Sequence, residues 1–289
     1  MRLIRAELLK ARRRQATWVL LIVALVLMGV TFLLVGLGLQ FTRLLEFPQM
    51  YAIIGQFAFG LGGLFAVVYA AALVGADWNW GVLRNVVARG ESRAGYLLAK
   101  AIALAVLLAV AALIVFAAGI VMVYLTGLIY NVPVASPLRG RGLQDLLDNM
   151  VLGYPVLLQR AALGFTVAVL LRSQLAGAVI GIALYVGEAI LTSVLTGLTI
   201  AQNFGNLIGE GGFKPIGPEW YQFLPISIGG NVLNTLPGGS SAAGVAAGGG
   251  LEQLFLRPVP LELALAGVIV YLAASLAIGV VALNRQEIV

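Results

Sequence analysis

Six separate stretches of this chain are each long and apolar enough to cross a bilayer: Trp18–Leu39, Ala52–Gly75, Leu97–Leu125, Met150–Leu171, Leu175–Leu198 and Leu261–Leu283. A hydrocarbon core about 30 Å thick needs roughly 20 helical residues at about 1.5 Å each. Lipid offers bare backbone no hydrogen-bond partner, so each stretch must satisfy its own N–H and C=O groups as a helix. Charged residues make up only 10% of the chain and hydrophobic residues 61%, against about 25% charged in soluble domains. The expected fold is all-α: a polytopic membrane protein with six transmembrane helices in a single domain over residues 1–289. The third stretch is longer than a bilayer needs, so tilt or projection beyond the membrane is expected there.

The residues before the first stretch are basic, and the two together need separating from a signal peptide. A signal peptide has a shorter apolar core and a small-residue cleavage site. This run has span length and no clear Ala-x-Ala behind it, so it reads as an uncleaved first span. Met1, Ile4, Leu8 and Ala11 share one helical face, with Arg2, Arg5, Arg12 and Arg13 largely opposite. That pattern predicts an interfacial helix within residues 1–17, lying in the headgroup plane.

Orientation follows from Lys and Arg. With the N-terminus in the cytoplasm, Arg2, Arg5, Lys10, Arg12, Arg13, Arg14, Arg84, Arg89, Arg93, Lys100, Arg172 and Arg285 fall on the cytoplasmic side. Arg43, Arg139, Arg141, Lys214 and Arg257 fall on the other. Twelve against five is the positive-inside pattern, and it places both termini in the cytoplasm. The net charge of +6 then serves anionic headgroups, and no nucleic-acid partner is expected. Thr126–Asn149 and Thr199–Pro260 read as external segments. The latter contains the Gly-, Ala- and Ser-rich run Pro237–Gly250, a flexible loop by composition, between interfacial flanks with Trp220, Tyr221 and Phe223.

The chemistry is bounded by what is missing. There is no Cys and no His, which removes disulfides, thiolate or imidazole metal sites and every nucleophile–His pair. No metal site, catalytic residue or bound cofactor is expected in this chain. Two ionisable residues fall inside apolar runs, Arg160 and Glu188. Arg160 lies twelve residues before Arg172, about 18 Å from the turn, and Glu188 fourteen after Gln174, about 21 Å from it. Matched depth on consecutive antiparallel helices predicts an intramembrane polar pair, either structural or on a substrate path. Gly177-x-x-x-Gly181 allows close helix contact but carries little weight in a chain with 36 Gly.

The loop between the second and third spans is the most specific feature. It reads Asp77-Trp78-Asn79-Trp80-Gly81-Val82-Leu83-Arg84, continues through Val86-Val87, and closes with Ala88-Arg89-Gly90-Glu91-Ser92-Arg93 before Lys100. This resembles the ABC type-2 permease family, the membrane subunits of many bacterial ABC exporters. Family members typically carry an acidic residue, Gly-Thr-Leu-Arg, a short apolar helix, a small-Ser-Arg turn and a Lys entering the third span. Gly81, Leu83, Arg84, Ser92, Arg93 and Lys100 fit; Asp77 stands where Glu is common and Val82 where Thr is common. Glu7-Leu8-Leu9-Lys10, Leu170-Leu171-Arg172-Ser173, Leu224-Pro225 and Asn284-Arg285-Gln286-Glu287-Ile288 resemble further landmarks in the same order.

The resemblance implies a cytoplasmic coupling helix in Asp77–Tyr96, with Asp77, Gly81, Leu83, Arg84, Val86 and Val87 binding an ATP-binding cassette subunit. It also implies a second permease subunit, identical or related, and the bacterial cytoplasmic membrane as the location. ATP and Mg would be bound by the partner. A P-loop needs Gly-Lys followed by Ser or Thr, and Lys10, Lys100 and Lys214 are followed by Ala11, Ala101 and Pro215. The rival reading is a proton-coupled secondary transporter using Glu188 and Arg160, although the internal repeats of many such folds are not apparent here.

Overall fold

The computed structural model describes residues 2–37, 47, 49–79, 82, 88, 92–131, 134, 136–137, 140–207, 216–237 and 256–285. Among them there is no strand, and one isolated bridge joins Ile216 to Leu256. Helix α1 (Arg2–Arg12) is amphipathic and joins α2 (Gln15–Leu37) through a tight corner. Next come α3 (Gln49–Gly55), a π-helical segment (Gln56–Leu61) and α4 (Gly62–Asn79), which run on as one rod. Then follow α5 (Arg93–Tyr130), α6 (Gly142–Leu171), α7 (Gln174–Leu207), a 3-10 turn (Trp220–Phe223), α8 (Pro225–Thr235) and α9 (Leu261–Arg285). Six helical segments qualify as membrane spans, at Gln15–Leu34, Met50–Trp78, Arg93–Tyr130, Gly142–Leu171, Gln174–Asn203 and Leu261–Arg285. The chain is an all-α polytopic membrane protein.

Local sequence explains the helix ends. Ser92 caps α5, its hydroxyl accepting from the Gly95 N–H at 3.1 Å, which satisfies one of the orphan donors of a first turn. Ser173 does the same for α7, accepting from Ala176 N–H at 3.3 Å. Between α6 and α7, Arg172 takes the left-handed conformation (φ 53°) that stops one helix and lets the next begin two residues later. The long α5 has 38 residues, about 57 Å at 1.5 Å per residue, so it exceeds a single bilayer core.

Helix α6 occupies the centre, packed against α4, α7, α8 and α9. Lipid tails are as apolar as the core, so close packing of small residues replaces the hydrophobic drive between helices. Gly164 of α6 lies against the Val67 carbonyl of α4, where no Cβ would fit. A Cβ at Gly177 or Gly181 would come within 2.7 Å of Ala168 or Val67. The small-residue spacing on α7 therefore marks true contacts with α6 and α4. Helix α2 sits outside, leaning on α5, with Val19, Ile22, Val26, Val30 and Leu34 exposed to the lipid space.

Two boundaries differ from the sequence reading. Thr126–Asn149 is not wholly a connecting segment: α5 runs on to Tyr130, and α6 begins at Gly142. Thr199–Pro260 is not one long external loop: α7 runs on to Leu207, and Pro225–Thr235 folds as α8. Ile226, Ile228, Val232 and Leu233 of α8 are buried, chiefly against α9 and α6. At eleven residues α8 is too short to span, which is why hydropathy alone leaves it in a loop. Tyr221 is buried rather than interfacial, whereas Trp220 is 64% exposed. Of the Gly-rich run, 238–250 lies outside the described residues, as do 286–289 at the terminus.

Candidate functional site

Two polar clusters are built into this apolar bundle. The first gathers residues that the sequence holds far apart. Asp77 ends the second span, Lys100 and Tyr96 begin the third, and Glu7 and Lys10 sit on α1. Lys10 Nζ donates to Asp77 Oδ1 at 3.0 Å. Lys100 Nζ and the Tyr96 hydroxyl both donate to Asp77 Oδ2. Lys100 also lies 3.7 Å from Glu7 Oε2, and Lys10 lies 3.7 Å from Glu7 Oε1. Asp77 is 1% exposed and Lys100 fully buried. Two carboxylates face two ammonium groups, and pairing of this kind is how buried ions are tolerated; Arg14, on the Ala72 carbonyl at 3.0 Å, is a further positive charge beside them. The cluster bolts α1, α4 and α5 together.

Between Asp77 and Ser92 runs the loop that the sequence singled out. Gly81, Leu83, Arg84, Val86 and Val87 lie outside the described residues; within the loop, Val82 and Ala88 are helical. Asp77 is described, and its side chain is turned inward to the cluster. The helix before the loop ends at Asn79, two residues past Asp77, and the helix after it begins at the Ser92 cap, four residues before Tyr96 and eight before Lys100. Tyr96 was not legible as a site residue, although its i, i+4 spacing to Lys100 places both on one face of α5.

The second cluster surrounds the first turn of α8. Arg160 is 3% exposed. Its Nη1 donates to the Phe59 carbonyl at 2.6 Å and the Gly60 carbonyl at 3.2 Å, and its Nη2 to the Ile226 carbonyl at 3.5 Å. The Tyr185 hydroxyl also donates to Gly60 O at 2.8 Å. A π-helical stretch misaligns its carbonyls with the α-helical ladder, and here an arginine and a tyrosine take two of them. Gly63 makes room for this arginine, since a Cβ there would stand 2.9 Å from Nη1.

Glu188 approaches the same turn of α8 from the other side. Its Oε1 accepts from Ile226 N–H at 2.6 Å and Ser227 N–H at 2.9 Å. A carboxylate on the first N–H groups of a helix satisfies orphan donors and complements the positive end of the dipole. Gln159 Nε2 donates to the Pro225 carbonyl at 3.0 Å and completes the seat. The direct Arg160–Glu188 pair expected from matched depth does not form. Ion pairs join Glu7, Lys10, Asp77 and Lys100, and none joins Arg160 to Glu188. The reason is the unforeseen α8: its backbone lies between the two side chains and offers carbonyls to one and N–H groups to the other.

Among the described residues no group of His, Cys, Asp and Glu is arranged to hold a metal ion. The first cluster pairs ions across three helices, and the second clamps the backbone of α8 and of the π segment. The profile of a family described as ABC-2 family transporter protein matches residues 3–188. The matched part spans α1, both partners of the Asp77–Lys100 pair, and Arg160, and ends at Glu188. No curated protein matches the chain.

Proposed function

Because this chain belongs to the ABC-2 family of transporter proteins, we propose that it is the permease subunit of an exporter powered by a separate ATP-binding cassette subunit. A membrane permease of an ABC-type transporter needs a rigid handle through which force enters the bundle. The buried Glu7–Lys10–Asp77–Lys100 cluster supports this reading most directly. It stands at the root of the loop between the second and third spans and locks three helices to it. A push on Gly81–Ala88 would then move α1, α4 and α5 as one piece.

The ATP-binding subunit docks on that loop, with Leu83, Val86 and Val87 as apolar anchors and Arg84 as a polar one. Burying two or three aliphatic side chains contributes about 1.5–3 kcal/mol each, less the ordering cost of association. A second permease subunit lies against the outer face of α7. Gly187 and Gly197 leave that face open, a Cβ at either meeting nothing within 4 Å, as close helix approach requires. The protein sits in a bacterial cytoplasmic membrane with both termini in the cytoplasm, ATP and Mg belong to the partner, and nothing nucleic is bound. The rival of a proton carrier at Glu188 is less favoured, because that carboxylate already serves as the anchor of α8.

The test is Leu83→Asp with Val87→Asp in the assembled transporter. Release of the ATP-binding subunit, or ATPase activity no longer stimulated by transport, is the expected result. A folded double variant that keeps its partner and transports at the normal rate would overturn the reading.

A further inference from the structure

A narrow apolar groove opens between the first three spans. Thr17 and Ala24 of α2 form one wall, and Phe65 and Tyr69 of α4 another. Ala111 of α5 closes the third side, with Leu157 of α6 at the floor. Its volume is about 80 Å³, well below the roughly 300–1,000 Å³ of small-molecule sites. Walls on three sides exclude the face of another helix, but a short stretch of a single unbranched hydrocarbon chain fits, the rest of it lying along the open side. Its polar groups are already engaged at one end, where the Thr17 hydroxyl donates to the Ala11 carbonyl at 2.8 Å and accepts from the Tyr69 hydroxyl at 2.9 Å.

That end of the groove points to the headgroup region. Arg12 and Arg13 are exposed and stand four to five residues before Thr17. Glu7, the acidic residue on α1, is turned away into the buried cluster. Trp18 is 51% exposed, and its indole N–H donates to the Arg12 carbonyl at 3.0 Å, the posture of an aromatic ring at the membrane interface. We propose that the groove holds one acyl chain of an anionic phospholipid whose headgroup lies against Arg12 and Arg13. A chain moving from bilayer to groove gains little from the hydrophobic effect, since both are apolar. Selectivity therefore rests on the headgroup, at about five-fold retention per arginine. This inference is independent of the partner and the transported substrate.

The full chain is placed in nanodiscs of phosphatidylcholine and phosphatidylglycerol, with a trace of one lipid carrying a photoreactive acyl chain. After illumination, labelled peptides are mapped. The phosphatidylglycerol probe is expected to label α2 and α5 at the groove about twenty-five-fold more than the phosphatidylcholine probe, about five-fold for each arginine. Arg12→Gln with Arg13→Gln should bring the two probes level. Two groove-filling variants on different helices, Ala24→Leu and Ala111→Phe, should each lower groove labelling by either probe, and agreement between them guards against one misfolding. Equal labelling by both probes in the unaltered protein overturns the proposal. So does a phosphatidylglycerol preference that survives loss of both arginines, or crosslinking of the groove to a second copy of the chain in place of lipid.

Discussion

Asp77 receives three donors in a site that excludes water, so its removal strands charge. Asp77→Asn keeps the shape but leaves Lys100, with a side chain only 1% exposed, facing a neutral amide. Leaving a buried ion wholly unpaired costs about 3–5 kcal/mol; with Glu7 still 3.7 Å from Lys100, detergent-extracted Asp77→Asn should lose about 3 kcal/mol, the lower end of that range, in chemical denaturation. Lys10 has 31% of its side chain exposed, so Lys10→Gln should cost about 1 kcal/mol or less. A double-mutant cycle on Asp77 and Lys100 should show strong coupling, the pair together losing less than the two singles summed. The family resemblance brings Asp77, Glu7, Lys10 and Lys100 forward as separate landmarks. Their meeting is not legible, because partners 67 and 23 residues apart are joined only by the packing of α1 and α5.

Helix α8 shows what an element-level reading of hydropathy loses. Its apolar residues Ile226, Ile228, Val232 and Leu233, and Pro225 at the first position, are ordinary helix signals. Eleven residues inside a Gly-rich region fall below any span threshold. The depth of Arg160 and Glu188 was readable from helix rise alone, and both do reach one level of the bundle; what lay between them was not readable. Either residue holds the first turn of α8, so loss of either should loosen the helix. Val232→Cys, on this Cys-free background, replaces a fully buried side chain. It should react slowly with a thiol reagent, and at least several-fold faster when Glu188→Gln or Arg160→Met is added. Unchanged reactivity in both combinations would show that α8 is held by its apolar face alone. Losing the Glu188 contact should itself cost about 1–2 kcal/mol, the size of a helix cap.

At the scale of the whole molecule, the six spans and their order were legible because lipid imposes one length and one secondary structure. Sidedness rests on Lys and Arg alone and is directly measurable. Single cysteines at Ala88 and Arg172 should react with an impermeant reagent from the cytoplasmic face, and cysteines at Ser136 and Gly217 from the opposite face. Labelling of position 217 from the cytoplasmic face only would invert or break the topology. The bundle also divides unevenly: α6 is the most buried span, with Leu143, Leu147 and Val151 outward near its start, while α2 and α7 keep most of their apolar surface outward.

The π-helical turn at Gln56–Leu61 acts on the second span like a slipped tooth between two gears. Each π-type ring encloses one residue more than an α ring, and one residue is about 100° of rotation about a helix axis. The residues before and after the turn therefore keep different angular time, and one helical wheel drawn through 50–78 assigns wrong faces to half of it. Deleting Gly60 would let the rod close into an uninterrupted α-helix. The two ends would keep their present faces, with Tyr51 still on the Pro137 carbonyl it holds at 2.6 Å, while the offset Gly60 carbonyl taken by Arg160 and Tyr185 would be lost.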